Sequence, residues 1–118
     1  LLVATLAGVA SVGFVQAPAL ADSSCPTGYF CAWDGENYTG AKLIQSSAPL
    51  ERNIDVADDR VSSVKNNTGN RWCGVNNGFP GDDTVLSVAR YTNLPVLDSK
   101  ANNKIDHFYV VAGAGNCT

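Results

Sequence analysis

One segment of the sequence, Asp58-Asp59-Arg60-Val61-Ser62-Ser63, combines residue types that suit a hard metal ion. Calcium takes six to eight oxygen ligands from carboxylates, carbonyls and hydroxyls. The Asp59 carboxylate, the Arg60 carbonyl and the Ser62 hydroxyl could supply part of such a shell. The acidic pair could instead form Asx turns that lead the chain into a strand, which needs no ion. The segment therefore predicts either a cation site or a pair of structural turns.

Catalytic chemistry finds little support in the sequence. His107 is the one histidine, and its neighbour Asp106 would lie on the opposite face of a strand, so the two cannot orient each other in a triad. The sequence contains no P-loop, nucleophile elbow or H-E-x-x-H motif. A glycosidase-type carboxylate pair would have to be assembled from two glutamates, Glu36 and Glu51, and nine aspartates. We therefore expect a protein that is not an enzyme.

Four cysteines are available for disulfides: Cys25, Cys31, Cys73 and Cys117. They allow three connectivities. We prefer Cys25 with Cys31 and Cys73 with Cys117, because Pro26-Thr27-Gly28 can turn the chain between the first two and the second bond would then hold the C-terminal segment. A zinc site built from these cysteines and His107 is disfavoured, since no C-x2-C pair occurs and we expect an oxidising compartment. Zinc and organic cofactors are not expected.

The charges divide the chain in two. The protein has 118 residues and a formal charge of −3, which argues against a nucleic-acid partner. Residues 1–21 carry no charge and end in Ala19-Leu20-Ala21, which fits a signal peptide cleaved after Ala21. The absence of a basic region and an initiator Met predicts that the true N-terminus is missing. An uncleaved membrane anchor is the alternative, but Gly and Pro interrupt the apolar run. We predict an extracellular mature domain at 22–118, free of the membrane after cleavage.

The mature segment shows short β-type runs separated by Gly, Asn, Asp and Pro, with no sustained helical periodicity. Six to eight short strands in a chain of this length predict an all-β sandwich. Residues 49–59 are expected to form a loop. The clearest strand candidates are 29–33, 41–44, 61–64, 71–75, 84–88 and 105–111.

The chain also repeats internally. Residues 58–64 align, 44 positions later, with residues 102–108. At an offset of 42, Cys31 and Cys73 each open a segment that ends in an aromatic-x-Gly turn. Four antiparallel strands with one long return connection make a Greek key. The repeat therefore predicts two Greek keys, at about 25–70 and about 71–118.

These residues resemble a known family. The run from Trp33 to Gly40 is similar to the aromatic-x4-aromatic-x-Gly hairpin of βγ-crystallin Greek keys, and residues 58–63 are similar to their calcium signature. In this order, and after a Cys-x5-Cys opening, they resemble the exported actinobacterial peptidase-inhibitor family that contains βγ-crystallin-fold metalloproteinase inhibitors. The resemblance covers about residues 25–117. It implies a disulfide-bonded βγ-crystallin-like sandwich that inhibits a secreted protease of the metalloprotease class.

The resemblance also implies how a calcium shell is shared. In the family the two loops contribute to each other's sites, so Ser62 would combine with groups around Lys104 or Gly78. Ser63 resembles the family's serine that latches the folded hairpin. The second repeat departs from the signature, because Asp106-His107 replaces the Ser/Thr-Ser pair. We therefore expect one good site and one doubtful site. The candidate ligands are Asp59, Arg60, Ser62, Asn103, Lys104 and Asp106.

A folded-back hairpin needs a residue with positive φ, and Gly40 and Gly81 can adopt it without Cβ strain. Tyr38 and Phe79 are then expected to pack inward, each contributing about 2–3 kcal/mol.

An inhibitor needs a rigid exposed segment that fills a protease cleft with little entropy left to lose. Two segments next to Cys73 suit this role, residues 70–75 and 76–82. A thermolysin-type metalloprotease prefers an apolar residue after the scissile bond, so Val75 or Phe79 could serve, with Trp72 and Gly74 beside them. The alternative places Trp72 in the core and Val75 in a strand. Other functions left open are a calcium-binding structural crystallin module and a killer-toxin-like antimicrobial of the same fold. The oligomeric state is also open.

Overall fold

The structure is a computed structural model that describes residues 22–51 and 53–118, so the predicted signal peptide lies outside the described residues. No helix in these two ranges is long and apolar enough to cross a bilayer. One 3-10 turn, Glu36–Tyr38, interrupts a fold that otherwise consists of strands and loops. The described strands are β1 (Phe30–Trp33), β2 (Lys42–Ser46), β3 (Ile54–Asp55), β4 (Ser63–Asn66), β5 (Arg71–Asn76), β6 (Asp83–Val88), β7 (Thr92–Leu94) and β8 (His107–Val111).

The all-β prediction is confirmed, and six of these strands overlap the sequence-based candidates. The other two, β3 and β7, have only two and three residues, too few to show a period-2 pattern. Residues 49–59 are thus not entirely loop, because Ile54 and Asp55 pair with β8.

The strands form two antiparallel sheets, in the orders β2-β1-β4-β7 and β3-β8-β5-β6. In sequence, β3 lies between β2 and β4, yet it pairs with β8. Likewise β7 lies between β6 and β8, yet it pairs with β4. Each half of the chain therefore gives one strand to the sheet built by the other half. The exact limits of the two Greek keys, 25–70 and 71–118, stay a prediction.

The core lies between the two sheets and is centred on three aromatic rings. Phe30 of β1 stacks on Trp72 of β5, with ring centroids 4.2 Å apart, and meets Phe108 of β8 edge-on at 4.9 Å. All three side chains are fully buried. Such rings contribute through buried apolar area and through their preferred packing geometry. Two of the strands that carry them, β5 and β8, are directly next in sequence to Asn77 and Asp106, which belong to the candidate site described below.

Two disulfides join the ends of the sandwich to its strands. Cys25 bonds to Cys31 on β1, and Cys73 on β5 bonds to Cys117. This is the pairing preferred from the sequence. The second bond holds the segment after β8 against the centre of the second sheet.

Asn66 at the end of β4 is fully buried and organises the connection to β5. Its Nδ2 donates to the carbonyls of Asn70, Val88 and Ala89, and its Oδ1 accepts from the amide and hydroxyl of Thr68.

We expect Asn66→Ala to lower the free energy of unfolding by about 3 kcal/mol, because it leaves several backbone groups and the Thr68 hydroxyl without their hydrogen-bond partner. The matched control is Asn93→Ala on β7, whose side chain is exposed and should change stability by less than about 0.5 kcal/mol. Urea unfolding measures both, and equal effects would contradict the role given to Asn66.

The described chain begins with a segment that crosses the first sheet. The Asp22 carbonyl accepts the indole N–H of Trp33 at 2.7 Å, and the Asp22 carboxylate contacts Lys42 Nζ at 3.0 Å. Lys65 Nζ donates to the Ser23 carbonyl and lies 4.3 Å from the centroid of the Tyr38 ring. The segment therefore covers the edge of the buried Trp33 ring.

Hydrogen bonds from Ser24 and Lys42 hold the pKa of the Asp22 carboxyl well below its usual range. A carboxyl whose pKa is depressed in the folded state stabilises the fold above its unfolded pKa, and this contribution is lost as pH falls toward the folded value. We expect Asp22→Asn to flatten the loss of stability on acidification below about pH 4. Thermal unfolding across the acid range, compared with Asp98→Asn, measures the change. If Asp22→Asn lost stability with falling pH as steeply as the unmodified protein, this prediction would be contradicted.

Candidate functional site

Residues 58–63 and 102–107, here called the two signature loops, cross each other and are joined by backbone hydrogen bonds. The Asn103 amide donates to the Val61 carbonyl at 2.9 Å, and the Asp59 amide donates to the Ile105 carbonyl at 3.3 Å. Asp59 and Asn103 have nearly the same left-handed backbone, with φ of 58° and 57°. Asn and Asp tolerate this conformation better than other non-glycine residues. The repeat seen in the sequence thus corresponds to a pair of matching turns.

The crossing brings together only some of the predicted calcium ligands. The Ser62 hydroxyl lies 3.1 Å from Asn103 Oδ1 and donates to it, so a residue of each loop meets at this point. The Arg60 guanidinium pairs with Asp34 in the first hairpin at 2.6 Å, a contact that does not involve the backbone carbonyl, which is the predicted ligand group. The Asp106 carboxylate also turns away and accepts the amide of Asn77 at 2.7 Å. Among the described residues, no three His, Cys, Asp or Glu side chains gather into a cluster.

The first hairpin, between β1 and β2, is folded back and latched. The Ser63 hydroxyl donates to the Gly35 carbonyl at 2.6 Å and accepts the Tyr38 amide at 3.0 Å, as the resemblance implied. Gly40 has the expected positive φ, 73°. The Tyr38 ring packs on Trp33, with centroids 5.3 Å apart.

The second hairpin, between β5 and β6, is built differently, and two expectations for it are wrong. Phe79 does not pack inward, because its side chain is 99% exposed. Gly81 does not have a positive φ. The second hairpin has no counterpart of Trp33, because Cys73-Gly74-Val75 stands at the matching positions, and His107 takes the place of the latching serine. The hairpin consequently projects from the sandwich.

We call residues 77–82 the 77–82 loop. Every one of its residues is exposed. Its base is fixed on one side by the Asp106 carboxylate on the Asn77 amide and on the other by the pairing of Asn76 with Asp83. Asp106, taken from the sequence as a cation ligand, is thus a brace for this loop. The sequence signal that could have shown this is the Asp at a position where the first repeat has Ser62.

The other predicted inhibitory residues lie inside the protein. Trp72 is fully buried, Val75 is 4% exposed, and Gly74 is buried between them. All three belong to β5, which is hydrogen-bonded on both sides, to β6 and β8. A Cβ on Gly74 would lie 3.0 Å from Ile105 Cδ1, so this glycine allows close packing. A protease cleft cannot reach these side chains, and the prediction for Trp72, Gly74 and Val75 is wrong.

Comparison with known protein families gives a clear match. Residues 18–77, just over half of the chain, match peptidase inhibitor family I36. The chain belongs to this family. The I36 match covers β1 to β5, including the latched hairpin and the first signature loop. Membership and fold together point to a non-catalytic protein. No curated protein matches this I36 chain.

Solved structures similar to this I36 chain are βγ-crystallin domains, which confirms the fold expected from the sequence. A double mutant of a βγ-crystallin domain from Clostridium beijerinckii has a TM-score of 0.56 at 17% identity, covering 72% of this chain and 98% of its own. A domain from Flavobacterium johnsoniae has a TM-score of 0.56 at 17% identity, covering 75% and 98%. A clostrillin double mutant in complex with nickel has a TM-score of 0.57 at 16% identity, covering 73% and 100%.

Proposed function

We propose that this protein is a secreted inhibitor of metalloproteases and that its 77–82 loop occupies the protease cleft. The observation that carries the proposal is the Phe79 side chain, 99% exposed at the tip of a loop in a member of a peptidase inhibitor family. Burial of this ring by a partner would stabilise a complex, because it would remove apolar area from water. A phenylalanine suits the apolar pocket that thermolysin-type proteases offer after the scissile bond.

Contacts at its base hold the 77–82 loop in place before it binds a protease. Asp106 holds the Asn77 amide, and the pairing of Asn76 with Asp83 closes the hairpin. Directly below, the Cys73–Cys117 bond fixes β5. A segment ordered before binding loses little conformational entropy on binding, which favours inhibition over flexible association.

The test is a panel of secreted metallo-, serine and cysteine proteases assayed with the purified protein. We expect competitive inhibition of thermolysin-type enzymes, with the complex surviving prolonged incubation. Failure against all three classes would overturn the proposal and favour a calcium-binding module or an antimicrobial role. Export is tested separately, by sequencing the N-terminus of the extracellular protein, which should begin at Asp22.

Calcium binding is a second candidate function, favoured by the contact of Ser62 with Asn103. These two residues offer a hydroxyl and an amide oxygen 3.1 Å apart, at the point where the loops cross. Carbonyls of Arg60 and Lys104, with the Asp59 carboxylate, would add further oxygen ligands, which is the donor type that calcium prefers. The donor set fits calcium chemically, and an ion here would tie the two loops together.

We expect calorimetric titration of chelator-treated protein to give a Kd of about 10⁻⁴–10⁻³ M, the range of extracellular calcium modules. Ser62→Ala should weaken the binding, because it removes one ligand from the crossing point. Glu51→Gln removes an exposed acid outside the signature loops and should leave the binding unchanged. No heat at millimolar calcium would contradict this candidate.

A further inference from the structure

The 77–82 loop opens with the one Asn-Gly dipeptide of the chain, Asn77-Gly78. In an Asn-Gly pair the glycine nitrogen can attack the asparagine side-chain carbonyl, because the glycine has no Cβ to obstruct the approach. Both residues are exposed. Within the described residues, the Asn77 side-chain amide makes no hydrogen bond. The Gly78 N–H has a single long contact, 3.4 Å to Asp82 Oδ1. The Asn77 side chain is therefore not held by the fold, and the Gly78 N–H is held only by this long contact.

The first hairpin supplies a comparison within the same chain. Its Asp34-Gly35 pair could form the same succinimide by loss of water, more slowly because an ionised carboxylate is a poor electrophile, and both of its reacting groups are engaged. The Gly35 N–H donates to the Thr39 carbonyl at 3.0 Å, and Asp34 Oδ1 accepts the Ala41 amide at 2.8 Å. The other oxygen of Asp34 is paired with Arg60. In the latched hairpin both reacting groups thus have hydrogen-bond partners, whereas in the projecting hairpin the Asn77 side chain has none among the described residues.

We propose that Asn77 is a site of spontaneous deamidation and that this reaction limits the working life of the 77–82 loop. The Gly78 nitrogen forms a bond to Asn77 Cγ and loses its proton to solvent base. The bond from Cγ to Nδ2 breaks, and the nitrogen leaves as ammonia with a proton taken from water. The resulting succinimide is then hydrolysed by water at either carbonyl. The products are aspartate, or isoaspartate in which the main chain runs through the former side chain.

Either product disturbs the loop. A new carboxylate at position 77 would be next to the Asp106 carboxylate, which accepts the amide of the same residue at 2.7 Å. Asp82 and Asp83 add two more exposed acids nearby in the hairpin. The new carboxylate at position 77 and the carboxylates of Asp82, Asp83 and Asp106 would repel one another. Isoaspartate also inserts a methylene into the main chain two residues before Phe79. The loss of inhibition that follows from this displacement rests on the proposed function, whereas the reaction itself does not.

The experiment is peptide mapping by mass spectrometry after incubation of the purified protein in mildly alkaline buffer, with isoaspartate detected by enzymatic methylation. We expect the peptide that contains Asn77 to show the mass change from amide to acid before any other asparagine does. Asn77→Gln should abolish modification at this position. Gly78→Ala should slow it about tenfold, because a Cβ restricts the approach of the nitrogen. The φ of Gly78 is outside the left-handed region, but a Cβ there would lie 3.2 Å from the Gly81 carbonyl oxygen, so this substitution requires a small shift of the loop.

Inhibition measured on fresh and aged samples separates the deamidation of Asn77 from its effect on inhibition. Modification of Asn77 together with a parallel loss of inhibition, absent from aged Asn77→Gln, supports the inference in full. A fresh protein that inhibits no protease overturns the proposed function but leaves the site of deamidation standing if Asn77 is modified. An intact Asn77 after other asparagines have reacted, an unchanged rate in Gly78→Ala, or full inhibition by fully modified protein overturns the inference.

Discussion

Replacing Phe79 with alanine is expected to weaken inhibition about 30- to 100-fold while leaving the stability of the fold unchanged, as expected for a binding hot spot. The side chain is 99% exposed, so its removal takes no contact from the folded protein. In a protease cleft the same side chain would be buried, and burial of a phenylalanine is worth about 1.5–3 kcal/mol. Inhibition constants measured against a thermolysin-type protease, with thermal unfolding in parallel, give both quantities.

The matched control for this variant is Tyr91→Ala. Tyr91 is an aromatic residue that is 70% exposed but lies between β6 and β7, away from the 77–82 loop in sequence. Its substitution should leave the inhibition constant unchanged. Phe79→Leu should retain most of the inhibition, because a thermolysin-type pocket accepts large aliphatic side chains. Equal inhibition by Phe79→Ala and the unmodified protein would remove Phe79 from the contact.

Asp106 allows the effect of loop order on protease binding to be separated from the effect of the Phe79 side chain. Its carboxylate holds the Asn77 amide and does not reach the tip of the loop, so it acts as a positioning residue. Its substitution should slow association more than it speeds dissociation, because a less ordered loop binds less often in the correct shape. A Phe79 variant should show the opposite division, with faster dissociation.

The fold could be predicted from the sequence because its signals are local. The hairpin signature places Trp33, Tyr38 and Gly40 in one hairpin, and the Ser63 latch follows from the family resemblance of residues 58–63. The two short strands β3 and β7 could not be predicted in this way. Each is ordered by pairing with a strand of the other half of the chain, β8 and β4 respectively, so its existence depends on tertiary contacts and not on its own residues.

The candidate site was harder to predict because the second repeat had diverged. An aromatic-x-Gly pattern is present at Phe79, but the aromatic residue that would pack on it and the serine that would latch the hairpin are absent. The aromatic-x-Gly pattern by itself does not show whether these two residues are present. Trp72 and Val75 seemed suitable because they are apolar and close to Cys73. Burial decides between core and contact surface, and burial depends on β5 being the central strand between β6 and β8. The sequence alone could not establish that position.

Removing the Cys73–Cys117 disulfide is expected to lower the free energy of unfolding by about 4 kcal/mol, against about 2 kcal/mol for Cys25–Cys31. The difference arises because the bonded cysteines are 44 residues apart in one case and 6 in the other. A longer closed loop restricts the unfolded chain more. Double alanine variants suit the test, since alanine leaves no hydroxyl in the buried position of Cys73. Urea unfolding gives both values, and equal losses would show that native contacts, not loop closure, set the stability.

The same variants show whether the second disulfide acts on the fold or on the 77–82 loop. Without the bond, the segment after β8 is still held by the Arg71 guanidinium on the Gly115 carbonyl and by the Gly113 amide on Asn70 Oδ1. The loop itself is braced by Asp106, whose bond to Asn77 does not involve a cysteine. A loss of about 4 kcal/mol is a large share of the 5–15 kcal/mol typical of a domain, yet enough can remain to keep the protein folded in the cold. We therefore expect the double alanine variant to inhibit at low temperature with a nearly unchanged inhibition constant and to lose inhibition in parallel with unfolding on warming.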